Sequence, residues 1–152
     1  MNISTAIRSA LKITGLMLCL ALPFSAIAKD SFYVITNANN SVLSLSKSDI
    51  KNIFLGKIRS FPNGSQATPL NLRKDSSSRK FFMDEIIQTS ETKWRSHWAR
   101  LIFTGKGRPP KEYPSPKEII ALVSQRETAL GYFFGELEKI EGITVLLEIP
   151  AH

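Results

Sequence analysis

Within seven positions, Arg73, Asp75, Ser76, Ser77, Ser78 and Arg79 gather two guanidiniums, one carboxylate and three hydroxyls. They lie in "NLRKDSSSRKFF", Asn71 to Phe82, where an alternating stretch hands over to a helical pattern. The first backbone N–H groups of a helix have no intrahelical partner, and the helix dipole adds partial positive charge there. A phosphate, sulfate or carboxylate is stabilised at such a point without a dedicated side chain. One serine suffices for an N-cap, so three in a row exceed what capping requires. Arg73 and Arg79 would add charge and bidentate geometry. Asp75 would repel an anion unless paired, and its expected role is to hold Arg73 or Arg79 in orientation.

The other candidates for chemistry are thinner. His97 lies in "KWRSHWARL" between Trp94 and Trp98, where helical spacing sets it at the edge of a buried stripe. Ser96 and His97 are helical neighbours and diverge, so they do not form a nucleophile and base. A hydrolase reading of the serines has no base at credible spacing. His152 is the last residue, and the single cysteine, Cys19, lies near the start. Two histidines without a nearby cysteine leave no zinc site of the usual kind. No metal and no cofactor are expected. Trp94 and Trp98 read as helix-packing residues before they read as a platform for a sugar. "GKGRPPKEYPSPK", Gly105 to Lys117, sets four cations on a stiff connector. It lacks the spacing and the Lys-Ser/Thr of a phosphate-binding P-loop.

The elements that must position these groups alternate. Ser31 to Thr36 reads as a strand and the asparagines after it as a turn. Ser46 and Asp49 form a capping box ahead of Ile50, Ile53 and Phe54, and Gly56 stops that helix. Ala67 to Arg73 is a second strand. Phe81, Phe82, Ile86 and Ile87 sit at helical spacing, and a new start at Thr89 or Ser90 opens a helix carrying Trp94, Trp98, Leu101 and Ile102 on one stripe. Gly105 to Pro110 is a break. Ser115, Pro116 and Glu118 open another helix, and Ala129–Phe134 and Ile143–Ile149 are strands. This order predicts an α/β layer fold.

Arg8 and Lys12 precede an apolar run from Ile13 to Phe24, and Ala26-Ile27-Ala28 gives a peptidase site. Residues 1–28 are expected to be a secretory signal cleaved after Ala28. That leaves 29–152 as one domain of 124 residues, without cysteine, in an oxidising compartment. The full chain carries a net charge of +7, of which Arg8 and Lys12 account for two. The remaining excess attracts anions or an envelope surface. Nucleic acid is not an expected partner of an exported protein.

The runs "LSKSDIKNIFLGKIRSFPNG", "LRKDSSSRKFF" and "ALGYFF" together resemble the second lobe of phosphate ABC-transporter solute-binding proteins. The likeness extends from about Leu45 to Phe134. It implies a type II periplasmic-binding-protein-like single lobe: a mixed sheet flanked by helices. It also implies a non-enzymatic, periplasmic module for phosphate or another small oxyanion. Arg73 would then be the phosphate arginine, Asp75 its orienting acid, and Ser76, Ser77 and Ser78 the loop, with Arg79 beside it. The family's loop glycines are replaced by Ser76 and Ser78, and its threonine by Arg79. With a single lobe, binding by the monomer is expected to be weak. A homodimer or a membrane-protein partner would have to supply the opposite wall. The alternative is an envelope interaction module that kept the lobe and lost tight ligand binding.

Overall fold

The computed structural model describes residues 30–137 and 140–150. The expected signal and His152 lie outside the described residues. In chain order the elements are β1 (Ser31–Asn37), α1 (Lys47–Phe54), β2 (Thr68–Leu72), α2 (Ser77–Phe82), a π-helical turn (Met83–Ile87), α3 (Glu91–Phe103), β3 (Lys111–Tyr113), α4 (Pro116–Gln125), β4 (Ala129–Gly135) and β5 (Ile143–Pro150). One sheet runs β3-β2-β4-β1-β5. β2 is parallel to β3 and β4, while β1 is antiparallel to β4 and β5. The sheet is therefore mixed, as expected.

Every residue of β1 is buried, the pattern of a strand covered on both faces. Its last residue, Asn37, fastens it to α4. The Asn37 amide donates to the carbonyls of Val123 (2.8 Å) and Ser124 (2.9 Å) in the last turn of α4, where Val123 O also accepts from Arg126 N–H (3.4 Å). The asparagine turn closes on itself: Asn37 Oδ1 accepts from Asn39 N–H and Asn40 Oδ1 from Val42 N–H.

α1 starts at the expected capping box, with Ser46 and Asp49 bonded reciprocally, and buries Ile50, Ile53 and Phe54. Gly56 follows its end with φ +69°, the left-handed conformation that suits glycine. Ser90 and Ser115 cap α3 and α4. Under the sheet, Phe32, Phe54, Phe82 and Tyr132 form an aromatic core in which Phe82 stacks on Tyr132 at 4.0 Å and 10°.

Three readings need correction. Ile102 does not share the buried stripe of α3. Trp94 and Trp98 turn inward and Leu101 is half-buried, but Ile102, a further 100° around the helix, is 54% exposed. The stretch after α2 is not a regular α-helix: it widens into a π turn and ends at Gln88, whose φ of +54° is left-handed. The basic connector contains β3, paired to β2 through Leu70–Lys111, Asn71–Glu112 and Leu72–Tyr113. Three residues between Pro110 and Pro114 show no alternation. A strand beside prolines belongs at a sheet edge, where β3 lies.

α4 crosses β4 at Gly131, where any Cβ would overlap Ile119 and stand 3.1 Å from Val123 Cγ2. Gly131→Ala is expected to cost about 1–3 kcal/mol through overpacking. Urea unfolding measures this, and an unchanged midpoint would mean that α4 does not seat here.

Candidate functional site

β2 ends beside two parallel neighbours, and its chain turns at once into α2. The turn is held by backbone bonds from Arg73 N–H to Tyr113 O (3.1 Å) and from Ser76 N–H to Arg73 O (3.1 Å). Ser76, in an extended conformation, is the N-cap: its Oγ accepts from Arg79 N–H at 3.0 Å. Ser77 and Ser78 are then the first two helical residues. Ser78 is buried, and its Oγ accepts the N–H of Phe134 from β4 at 2.9 Å. Two of the three hydroxyls therefore serve the fold. Ser77 stays exposed. Among the described residues, the backbone N–H groups of Ser77 and Ser78 find no acceptor.

Arg79 has a different role from the expected one. It is 1% exposed, and its guanidinium grips the carboxylate of Glu91 through Nε (2.6 Å) and Nη2 (3.0 Å). Its carbon stands 4.7 Å from the Trp94 ring centre, a cation–π stack. Burial opposes the charge of Arg79. The bonds and charge of Glu91, with help from Tyr132, outweigh that opposition and hold its pKa above the ordinary value. Nη1 has no acceptor among the described residues, yet it is enclosed by protein. Arg79 thus ties α2 to the start of α3, and an anion would reach it only by displacing Glu91.

Asp75 is not paired with either arginine. Among the described residues neither it nor Arg73 makes an ion pair, and the acid on Arg79 is Glu91. Arg73 and Asp75 are both exposed. A shallow cavity of about 420 Å³ brings together Asp75, Ser76 and Ser77 with Lys74, Lys80 and the start of α3 at Ser90 and Glu91. Arg73, Ser78 and Arg79 do not line it. Lys80 is paired with Asp84 at 2.8 Å, and Lys74 has no such partner among the described residues. Sequence reasoning passed over Lys74 and Glu91. The adjacency of Lys74 to Asp75 was the available signal for the first. For Glu91 there was only its place in a helical first turn, which reads as ordinary dipole complementation.

Behind the turn, Tyr132 OH donates to Asn71 Oδ1 (2.6 Å) and accepts from Leu72 N–H (3.2 Å). Burial pushes its phenol well above the usual range, only partly offset by Arg79 and the Leu72 N–H, so the hydroxyl keeps the proton it donates. His97 is structural too. Its Nε2 lies 2.9 Å from Leu55 O, and since a carbonyl only accepts, that nitrogen carries the hydrogen.

Breaking the Arg79–Glu91 pair strands a buried charge. Glu91→Ala is expected to cost about 2–4 kcal/mol, somewhat less than for a fully buried pair because the Glu91 side chain is 35% exposed. The double variant Arg79→Met/Glu91→Leu should recover at least half of that loss, since no charge is then left buried. Chemical denaturation of both checks this. A double variant no more stable than the single one would show that the pair contributes by more than mutual neutralisation.

No family model matches the sequence, and no curated protein does so at a significant level. Solved structures do share the fold. A protein from Clostridium perfringens described as a phosphate ABC transporter substrate-binding protein, with bound phosphate, matches at 21% identity and TM-score 0.60, over 79% of this chain and 45% of its own. An ABC-type phosphate transport receptor from Vibrio cholerae matches at 16% and 0.56, over 78% and 46%. PstS from Borrelia burgdorferi matches at 15% and 0.52, over 70% and 41%. This chain spans less than half the length of each. It therefore shares its fold with part of these substrate-binding proteins, as one five-stranded mixed sheet flanked by helices.

Proposed function

We propose that the chain is an exported, non-enzymatic module that binds phosphate or a related oxyanion weakly, at the start of α2. The observation that carries this reading is the pair of unpartnered amides at Ser77 and Ser78, beyond the C-terminal end of β2 and beside the exposed side chains of Arg73 and Lys74. Ligands of open α/β sheets favour that end of the strands. The likeness to phosphate-binding proteins supports it.

Magnitudes set the affinity. Two amides and one or two cations offer charge-assisted bonds of about 1.5–3 kcal/mol each. Association costs roughly 4–15 kcal/mol. Asp75, Asp84 and Glu91 around the cavity subtract from the total. These ranges span zero, and the lone lobe is placed at their favourable side, with a dissociation constant on the order of 1 mM, about −4 kcal/mol. A second copy or a membrane-protein partner would supply the missing wall where tighter binding is needed.

A second reading, an envelope interaction module without a ligand, is favoured by the end of α3, where Phe103 is 92% exposed and Ile102 is 54% exposed. Thermal unfolding with inorganic phosphate separates the two. At a concentration 100 times the dissociation constant, binding adds about 2.7 kcal/mol of stability. Titration through the millimolar range is expected to raise the Tm progressively, and Arg73→Ala to reduce the rise without removing it. No rise with phosphate or sulfate would leave the interaction reading. A rise kept in full by Arg73→Ala would take Arg73 out of the site.

A further inference from the structure

A separate cavity of about 460 Å³ opens at the other end of β2, where Thr68, Pro69 and Leu70 line it. It reaches Tyr113 of β3, whose carbonyl bonds Arg73 N–H, yet it shares no lining residue with the cavity at the α2 turn. Its floor is apolar: Ile53, Leu70, Trp98, Leu101, Pro110 and Tyr113. Its rim holds Arg59, Lys106, Arg108, Lys111 and Arg126, and no lining residue is acidic.

The rim is built, not incidental. Arg59 Nη2 donates to Lys106 O at 2.7 Å, which pins the connector over the opening. Lys111 Nζ lies 5.3 Å from the Tyr113 ring centre. Arg108 and Arg126 make no ion pair among the described residues. The Trp98 ring packs beneath Gly56 and Gly107, where a Cβ would meet it at 2.8 and 3.6 Å. Its indole N–H is buried without an acceptor among the described residues. Five cations without a carboxylate repel one another, and low-dielectric walls focus their field on the cavity.

We propose that this cavity binds a small amphiphilic anion, an apolar organic body bearing a carboxylate or phosphate. The body would lie on the Trp98–Leu101 floor and the head group among Arg108, Arg126 and Lys106. The size suits a small-molecule site, which is mostly apolar with a few fixed polar groups. This site is independent of the one at α2, which takes only the oxyanion.

Octyl phosphate below its micellar concentration is titrated into the full chain and followed by tryptophan fluorescence and calorimetry. Octan-1-ol, inorganic phosphate and phosphatidylglycerol vesicles are titrated in parallel. Saturable binding is expected for octyl phosphate, with octan-1-ol and inorganic phosphate each weaker by about tenfold or more. The exposed pair Arg108→Glu/Arg126→Glu should weaken octyl phosphate by about tenfold or more while leaving inorganic phosphate unaffected at α2. Should the pair fail to fold, each single reversal should weaken binding by about threefold. No saturable binding, equal binding of the alcohol, binding undiminished by the reversals, or binding to vesicles alone overturns the proposal. Loss of inorganic phosphate binding with octyl phosphate retained counts against the α2 site only.

Discussion

Tyr132 is the interaction on which this small lobe turns. Its ring stacks on Phe82 of α2, and its hydroxyl joins Asn71 and Leu72 at the end of β2. Two residues further along β4, the Phe134 N–H fixes Ser78. One strand thus sets the end of β2, the start of α2 and the angle between them. The buried phenol keeps its proton because burial disfavours the anion, so the network retains its direction. Remove that node and neither the serine turn nor the seat of Arg79 has a defined position.

The same geometry divides the positive charges into two kinds. Arg79 is structural, clamped by Glu91 and laid on Trp94, and it links α2 with α3 across the π turn. Arg73 and Lys74 are exposed and make no ion pair among the described residues. A guanidinium already holding a carboxylate offers little to an incoming anion. The exposed cations offer only screened attraction. On the proposed function, the turn receives an anion through its amides, which cannot be neutralised, and through whatever wall another molecule brings.

The sequence made the layers legible because they depend on local signals. The Ser46–Asp49 box, Gly56, the caps at Ser90 and Ser115, and the buried run of β1 are each short-range. The fold class followed from their order and from the motif resemblance. The site was legible only in part. Serine chemistry pointed to a strand-to-helix turn, which the structure shows, but hydroxyls look alike in sequence whether they face solvent, cap a helix or hold a neighbouring strand. Ser78 is taken by Phe134, 56 positions away, and Arg79 by Glu91, 12 positions away. Both partners are set by packing rather than spacing. β3 was hidden for the related reason that a three-residue edge strand draws its identity from the strand beside it. The cavity beneath the basic connector, built from α1, β2, α3 and β3, had no linear signature beyond its charge.

The central claim is that negative charge is received by the Ser77 and Ser78 amides. Backbone ¹⁵N–¹H spectra recorded through a millimolar phosphate titration test it most directly. The account predicts progressive, saturable downfield shifts at Ser77 and Ser78, a smaller response at Arg73 and Lys74, and almost none at Arg79. Shifts centred on Glu91 and Arg79, or no response at Ser77 and Ser78 while other amides saturate, would contradict it.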